Sequence, residues 1–269
     1  MKKIIVGIVL VSILFSCKDA KETKTEKIIG VSKKTIVKDS VQEKEVVSEE
    51  EFKNDFDILL ARSYRSYGEE NPAVALTKKW IDLYEQNGEY YLGKADFKIE
   101  KGFDECSGDS LVSVLAKNKS IIFMDLPDLK LGKIKSLKIE EDKIWPDEKL
   151  TFAFNNVNYT LRGEGKVLSS EMVSTDDNTE EVFKKVENYK LYLSTGNTTE
   201  KLLLSEESFN DTFVKLIFAG DIDNDGKLDF VFSANRHYEE ERVILFLSSK
   251  AKSGEAMKRV SEIAVGFDC

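Results

Sequence analysis

Leu216-Ile217-Phe218-Ala219-Gly220-Asp221-Ile222-Asp223-Asn224-Asp225-Gly226-Lys227-Leu228-Asp229-Phe230-Val231-Phe232 places four aspartates around one glycine, between two apolar runs of strand character. Alternate side chains on a tight turn converge on one point. Like charges ~4.5 Å apart repel by about 4 kcal/mol even at an effective dielectric of ~20, so the loop calls for a cation. The candidate ligands are Asp221, Asp223, Asp225, Asp229 and the backbone carbonyl of Lys227. An all-oxygen set without His or Cys suits calcium better than zinc. The competing reading is a polar hairpin turn without metal, because Asn-Asp-Gly is good turn chemistry by itself.

An EF-hand needs a glutamate at position twelve of its loop and helices on both sides. Here that position is Phe232 and the flanks read as strands. The pattern D-x-D-x-D-G-x-x-D between Leu216-Ile217-Phe218 and Phe230-Val231-Phe232 instead resembles the calcium-binding hairpin of FG-GAP and VCBS repeats. The resemblance covers about twenty residues and implies that calcium is held by Asp221, Asp223, Asp225, Asp229 and the Lys227 carbonyl. The motif occurs once, whereas a propeller repeats it blade by blade. The C-terminal stretch also resembles bacterial lipoproteins that end in one such hairpin and a final cysteine, a resemblance that implies no activity.

Outward from the hairpin, short β-rich runs punctuated by turn residues recur every ten or so positions. Trp80 to Tyr84, the Asn87-Gly88 turn, Ala95 to Ile99, Leu111 to Leu115, Ile121 to Leu126 and Ile134 to Ile139 read as strands. So do Leu150 to Phe154 and Val157 to Leu161, joined at Asn155-Asn156, then Tyr189 to Leu193, Lys201 to Leu204, Val214 to Ala219, Leu228 to Phe232 and Val243 to Leu247. Val243-Ile244-Leu245-Phe246-Leu247 is apolar at every position, which predicts a central strand buried on both faces. The acidic stretch Ser169 to Glu181 reads as a mobile segment. Ser48 and Glu51 form a capping box, and Phe52, Phe56, Leu59, Leu60 and Tyr64 follow at helical spacing up to Gly68, which predicts one N-terminal helix. The expected fold is mainly β: an antiparallel sandwich or open barrel-like sheets, one N-terminal helix, and the acidic hairpin near the C-terminus.

Met1-Lys2-Lys3 followed by the apolar run Ile4 to Phe15 reads as a secretory signal. A dozen apolar residues span only ~18 Å as a helix, short of the ~30 Å hydrocarbon core. Leu14-Phe15-Ser16-Cys17 resembles the lipobox of bacterial lipoproteins, which implies removal of residues 1–16 and lipid modification of Cys17. The multiple acyl chains so implied would hold the protein on a membrane, and Lys18 after the cysteine implies the outer membrane of the cell envelope, facing periplasm or surface. Residues 17–52 are charge-dense and lack aromatics before Phe52, so they read as a disordered tether with a reach of ~30 Å. An edge strand at Thr35 to Val37 is the other reading of that stretch. Residues 53–269 form the β-rich part, as one core or as two lobes of about 53–168 and 182–269.

The net charge of −9 argues against a nucleic-acid partner. With Cys17 assigned to lipid, Cys106 and Cys269 remain as a pair suited to a disulfide in an oxidising compartment, two separate thiols being the alternative. His237, the only histidine, sits in a polar run, and no G-x-S-x-G elbow accompanies it. Asp104, Glu105 and Asp109 form a second acidic loop, and Trp80 and Trp145 offer stacking surfaces or core packing. Together these features lead to the expectation of a membrane-anchored, calcium-stabilised, non-catalytic β protein that engages a protein or glycan ligand. The alternative is a calcium-stabilised secreted hydrolase acting on glycan or peptide.

Overall fold

The computed structural model describes residues 52–66, 71–174, 179–196 and 199–267. The leader, Cys17, most of the tether, the Ser48–Glu51 cap and Cys269 lie outside these residues. In chain order the strands are β1 (Ile58–Leu59), β2 (Ser63–Arg65), β3 (Ile81–Gln86), β4 (Glu89–Lys94), β5 (Phe97–Phe103), β6 (Ser110–Ala116), β7 (Lys119–Met124) and β8 (Gly132–Lys133). They continue as β9 (Lys149–Phe154), β10 (Val157–Ser174), β11 (Glu180–Thr195), β12 (Lys201–Ser208), β13 (Lys215–Gly220), β14 (Asp229–Ser233), β15 (Glu240–Leu247) and β16 (Lys258–Gly266). Among the described residues the one helical element is a 3-10 turn at Pro72–Ala75, and no helix is long and apolar enough to cross a membrane.

The strands assemble into four sheets, ordered β1-β7-β3-β4-β8, β2-β6-β5, β12-β11-β10-β9 and β13-β14-β15-β16, with antiparallel pairing between neighbours and no closed barrel. The described residues belong to one compact unit, Glu51–Cys269. The β13–β16 sheet lies between two cores because β13, β14 and β15 bury apolar side chains on both faces. Ile244 and Phe246 of β15 enter one core with Tyr189, Leu191 and Trp145, whereas Val243, Leu245 and Leu247 enter another with Ile81, Leu83 and Ile122. The all-apolar run of β15 therefore serves two cores at once, as a strand between two covered faces must. Each large side chain so buried contributes ~2 kcal/mol relative to exposure. A third core joins Leu59, Trp80 and Phe123 to Tyr64 and Val114 of the β2-β6-β5 sheet.

Three expectations need correction. The N-terminal helix is not formed: Ile58 and Leu59 pair with Met124 and Phe123, and Ser63–Arg65 pairs with β6. Ile58 and Leu60 point to one core and Leu59 to the other, so an apolar run buried on both sides of a ladder happens to carry i, i+4 spacing. The Tyr64 hydroxyl accepts from the Leu60 N–H at 2.7 Å and donates to the Leu60 carbonyl at 2.8 Å, closing the bend between the two strands. The described residues of the Ser169 to Glu181 stretch are not a mobile segment but strand: 169–174 end β10 and 180–181 begin β11, paired from Ser169↔Lys185 to Ser174↔Glu180. Glu181 there pairs with Lys143 at 2.7 Å, while Phe183 packs edge-on to Trp145. Ile134 to Ile139 is not a full strand. It covers the free edge of β13 through Leu137 N–H to the Ala219 carbonyl at 2.9 Å and Asp221 N–H to the Lys135 carbonyl at 3.0 Å.

Candidate metal centre

The loop Asp221–Leu228 closes the β13–β14 hairpin, whose last pair is Gly220 with Asp229. Its two apolar residues pin it in opposite directions: Ile222 is fully buried in the core beneath β1 and β3, and Leu228 in the core shared with β10 and β11. Ile222 therefore anchors the loop. Asn224 at φ 61° and Gly226 at φ 85° supply the left-handed residues that turn the chain between the anchors. A Cβ on Gly226 would meet nothing within 4 Å, so that glycine answers to backbone conformation alone.

With the chain so turned, Asp221, Asp223 and Asp225 each offer a carboxylate oxygen, all within 4.8 Å of one another. Asp221 Oδ2 accepts from the Gly226 N–H at 3.1 Å, whereas its Oδ1 is buried and has no hydrogen-bond partner among the described residues. Asp225 Oδ1 accepts from the Lys227 N–H at 2.8 Å, and Asp223 Oδ1 from the Asp225 N–H at 3.3 Å. Two hydroxyls from the end of β15 reach the same group: Ser248 Oγ donates to Asp225 Oδ2 at 2.8 Å, and Ser249 Oγ donates to Asp223 Oδ2.

Asp229 stands apart from this trio. It is fully buried, and its two oxygens accept backbone N–H groups, from Ile222 at 2.7 Å and from Ser248 at 2.8 Å. These bonds fasten the floor of the loop to β15. Its outer wall is held by Asn155, whose amide donates to the Gly226 carbonyl at 2.7 Å, and by Tyr159, whose hydroxyl accepts from the Leu228 N–H at 3.2 Å. The Lys227 ammonium lies 3.8 Å from Asp225 Oδ2.

Electrostatically the group is crowded. Burial pushes the Asp221 carboxyl above its ordinary range, and the charges of Asp225 and Asp223 push it further. Burial raises Asp229 well above that range, with added repulsion from Asp223 and Asp225. Tyr159 is raised as well, by burial first and then by the three nearest aspartates. A divalent cation among these oxygens would reverse each repulsive contribution. The donors are all hard oxygens, a set that could hold a divalent ion, and Asp221 Oδ1 is left without a donor among the described residues.

The other candidates fall elsewhere. Asp104 accepts from the Cys106 N–H at 2.9 Å and the Arg65 Nε at 2.5 Å, which hold its carboxyl below the ordinary range. It caps a turn and pairs with a cation of its own. Trp80 and Trp145 are both buried, Trp145 stacked on Phe213 at 4.1 Å. His237 lies half-buried in the turn before β15, its carbonyl accepting from the Glu240 N–H at 3.1 Å. Cys106 is exposed in the turn after β5, and its expected partner Cys269 is outside the described residues. Ser248 and Ser249 carry no signal in the sequence, because no spacing rule connects two serines after an apolar strand to a loop twenty residues earlier. No family model, curated protein or solved structure matches the chain.

Proposed function

We propose that this is a calcium-stabilised, non-catalytic binding protein of the cell envelope, held on the membrane by lipid at Cys17. The observation that carries the metal reading is the trio Asp221, Asp223 and Asp225 within 4.8 Å, one of its oxygens buried without a donor. These three and the Lys227 carbonyl would hold the ion, with Asp229 beneath them fixing the loop. Ser248 and Ser249 link the site to the segment before β16, which lines a cleft of about 460 Å³ with Phe52, Leu193, Leu202, Phe246, Met257 and Arg259. A protein or glycan ligand would occupy that cleft, and the metal would steady its lip. The lipid, the outer-membrane placement and a Cys106–Cys269 bridge complete the reading, on the strength of the leader and the cysteine count.

Thermal unfolding in calcium and in chelator tests it. At a Kd of ~10⁻⁴ M and ~1 mM free ion, binding adds ~1.4 kcal/mol, which for a domain of this size raises Tm by ~3–6 °C. Asp223→Ala should abolish the calcium response while leaving the melt in chelator nearly unchanged. Equal melting of wild type in the two buffers would remove calcium from the proposal. Cys17→Ser should release the protein from the membrane fraction, and non-reducing peptide mapping should recover residues 106 and 269 in one fragment.

A further inference from the structure

Strand β5 is the outer strand of the β2-β6-β5 sheet, and among the described residues nothing pairs with its far side. Its register against β6 is unbroken from Phe97↔Ala116 to Phe103↔Ser110. The flanking bonds, Lys117 N–H to the Asp96 carbonyl and Asp104 N–H to the Asp109 carbonyl, both at 2.9 Å, fix which residues face inward. In an antiparallel ladder the bonded positions alternate. Lys98, Glu100 and Gly102 therefore turn their backbone groups to β6, and Phe97, Ile99, Lys101 and Phe103 turn theirs outward. The Lys78 ammonium confirms the phase by donating to the outward Phe97 carbonyl at 2.8 Å. The backbone groups of Ile99 and Lys101 take no hydrogen bond from any described residue.

The side chains on this edge are self-complementary about one residue. Lys98, Ile99 and Glu100 read cation, apolar, anion, and neither charge has an ion-pair partner among the described residues. A second copy laid antiparallel with the twofold axis at Ile99 would set Ile99 against Ile99 as a hydrogen-bonded pair. Lys98 would then face Glu100 of the other copy twice, in the close non-hydrogen-bonded positions where Cα atoms are ~4.5 Å apart. Shifting the axis to Glu100 or to Lys101 sets like charges on the dyad. Within Lys98–Lys101 the outward backbone phase and the charge order thus agree on the axis at Ile99, and at Phe97 the carbonyl is already taken by Lys78. Ile99 is 42% exposed and Phe103 74%, both on the face that otherwise closes the third core, so a continued sheet would cover apolar surface left open in one chain.

We propose that the protein self-associates through β5, two copies joining the three-stranded sheets edge to edge into a six-stranded sheet with its twofold axis at Ile99. Lysines commonly guard exposed edges; here the Ile99 pair is unobstructed, and the next bonded pairs of the register, Phe97 with Lys101, form once the Lys78 ammonium leaves the Phe97 carbonyl. The contact is small, so association should be weak and concentration-dependent.

Sedimentation velocity of the full-length protein over a concentration series, at constant calcium, tests the register. Lys98→Glu sets two acidic pairs against each other across the dyad, and Glu100→Lys sets two basic pairs. Each variant alone should move the monomer–dimer midpoint to roughly tenfold higher concentration or more. Mixing the two variants restores opposite charges at both positions, so the mixture should dimerise at the wild-type concentration. That rescue also shows that both variants are folded. A wild type monomeric at millimolar concentration, a midpoint unmoved by either swap, or a mixture no better than its components would each overturn the proposal.

Discussion

Asp229 accepts the backbone N–H of Ser248 at 2.8 Å, tying the first residue of β14 to the end of β15 nineteen positions later. Its other oxygen takes the Ile222 N–H at 2.7 Å. The last aspartate of the motif is therefore a buried bracket between the loop and its neighbouring strand, whereas the first three line the opening.

This division separates two kinds of variant. Asp229→Ala strands two buried N–H groups, each costing ~1–3 kcal/mol, so urea unfolding should show a loss of ~2–5 kcal/mol both with calcium and with chelator. Asp223→Ala should lower stability only when calcium is present. If both variants lost stability only in calcium, Asp229 would be acting as a metal ligand alone and the bracket would be refuted.

Much of the architecture is readable from the residues because the strands carry their signals locally. The Asn87-Gly88 turn adopts φ values of 55° and 78°, as its sequence demands, and the apolar run at Val243 to Leu247 declares a doubly covered strand. Strand β16 is hidden because its charges are consumed at a distance: Arg259 and Arg242 both bind Glu262, and Arg242 also binds Glu206 from β12. From the sequence those residues look like a solvated surface. Phe52 to Tyr64 misleads for the opposite reason, since its helical spacing is real but the partners that make it β lie about sixty residues away. At the acidic loop the motif names the carboxylates, whereas the roles of Ser248, Asn155 and Tyr159 arise only from the packing of β15, β9 and β10 around it.

Gly163 on β10 supplies a test of how the segment before β9 is seated. A Cβ there would fall 2.4 Å from the Trp145 carbonyl oxygen and 2.7 Å from that of Ile144. Both obstacles are backbone, and Gly163 also bonds to Glu148 and Asp147 on either side of the approach. Gly163→Ala should displace Trp145 from its stack on Phe213 and cost ~1–3 kcal/mol, read as a lower urea midpoint and altered tryptophan fluorescence. Unchanged fluorescence and midpoint would show that the close approach is not needed in solution.

Asp82 makes the stability depend on pH in a direction opposite to that of most acidic residues. It is fully buried on β3, where burial raises its carboxyl above the ordinary aspartate value and hydrogen bonds from Ser120 at 2.6 Å and Asn118 at 3.2 Å only partly offset the shift. The folded state therefore holds this proton more tightly than the unfolded chain, whose aspartates titrate near ~3.9. Its stabilising contribution is complete below that value and declines as pH rises through the folded-state value. Asp82→Asn removes the titration and keeps the shape, and the Asn118 amide can turn to present its oxygen to the new donor. The stability of wild type minus that of Asp82→Asn should thus be greatest at low pH, fall as pH rises above about 4, and then level off. Other titrating groups cancel in this difference, so paired urea titrations between acid and neutral pH isolate Asp82. A difference constant across that range would mean that the carboxyl is not held above its ordinary value.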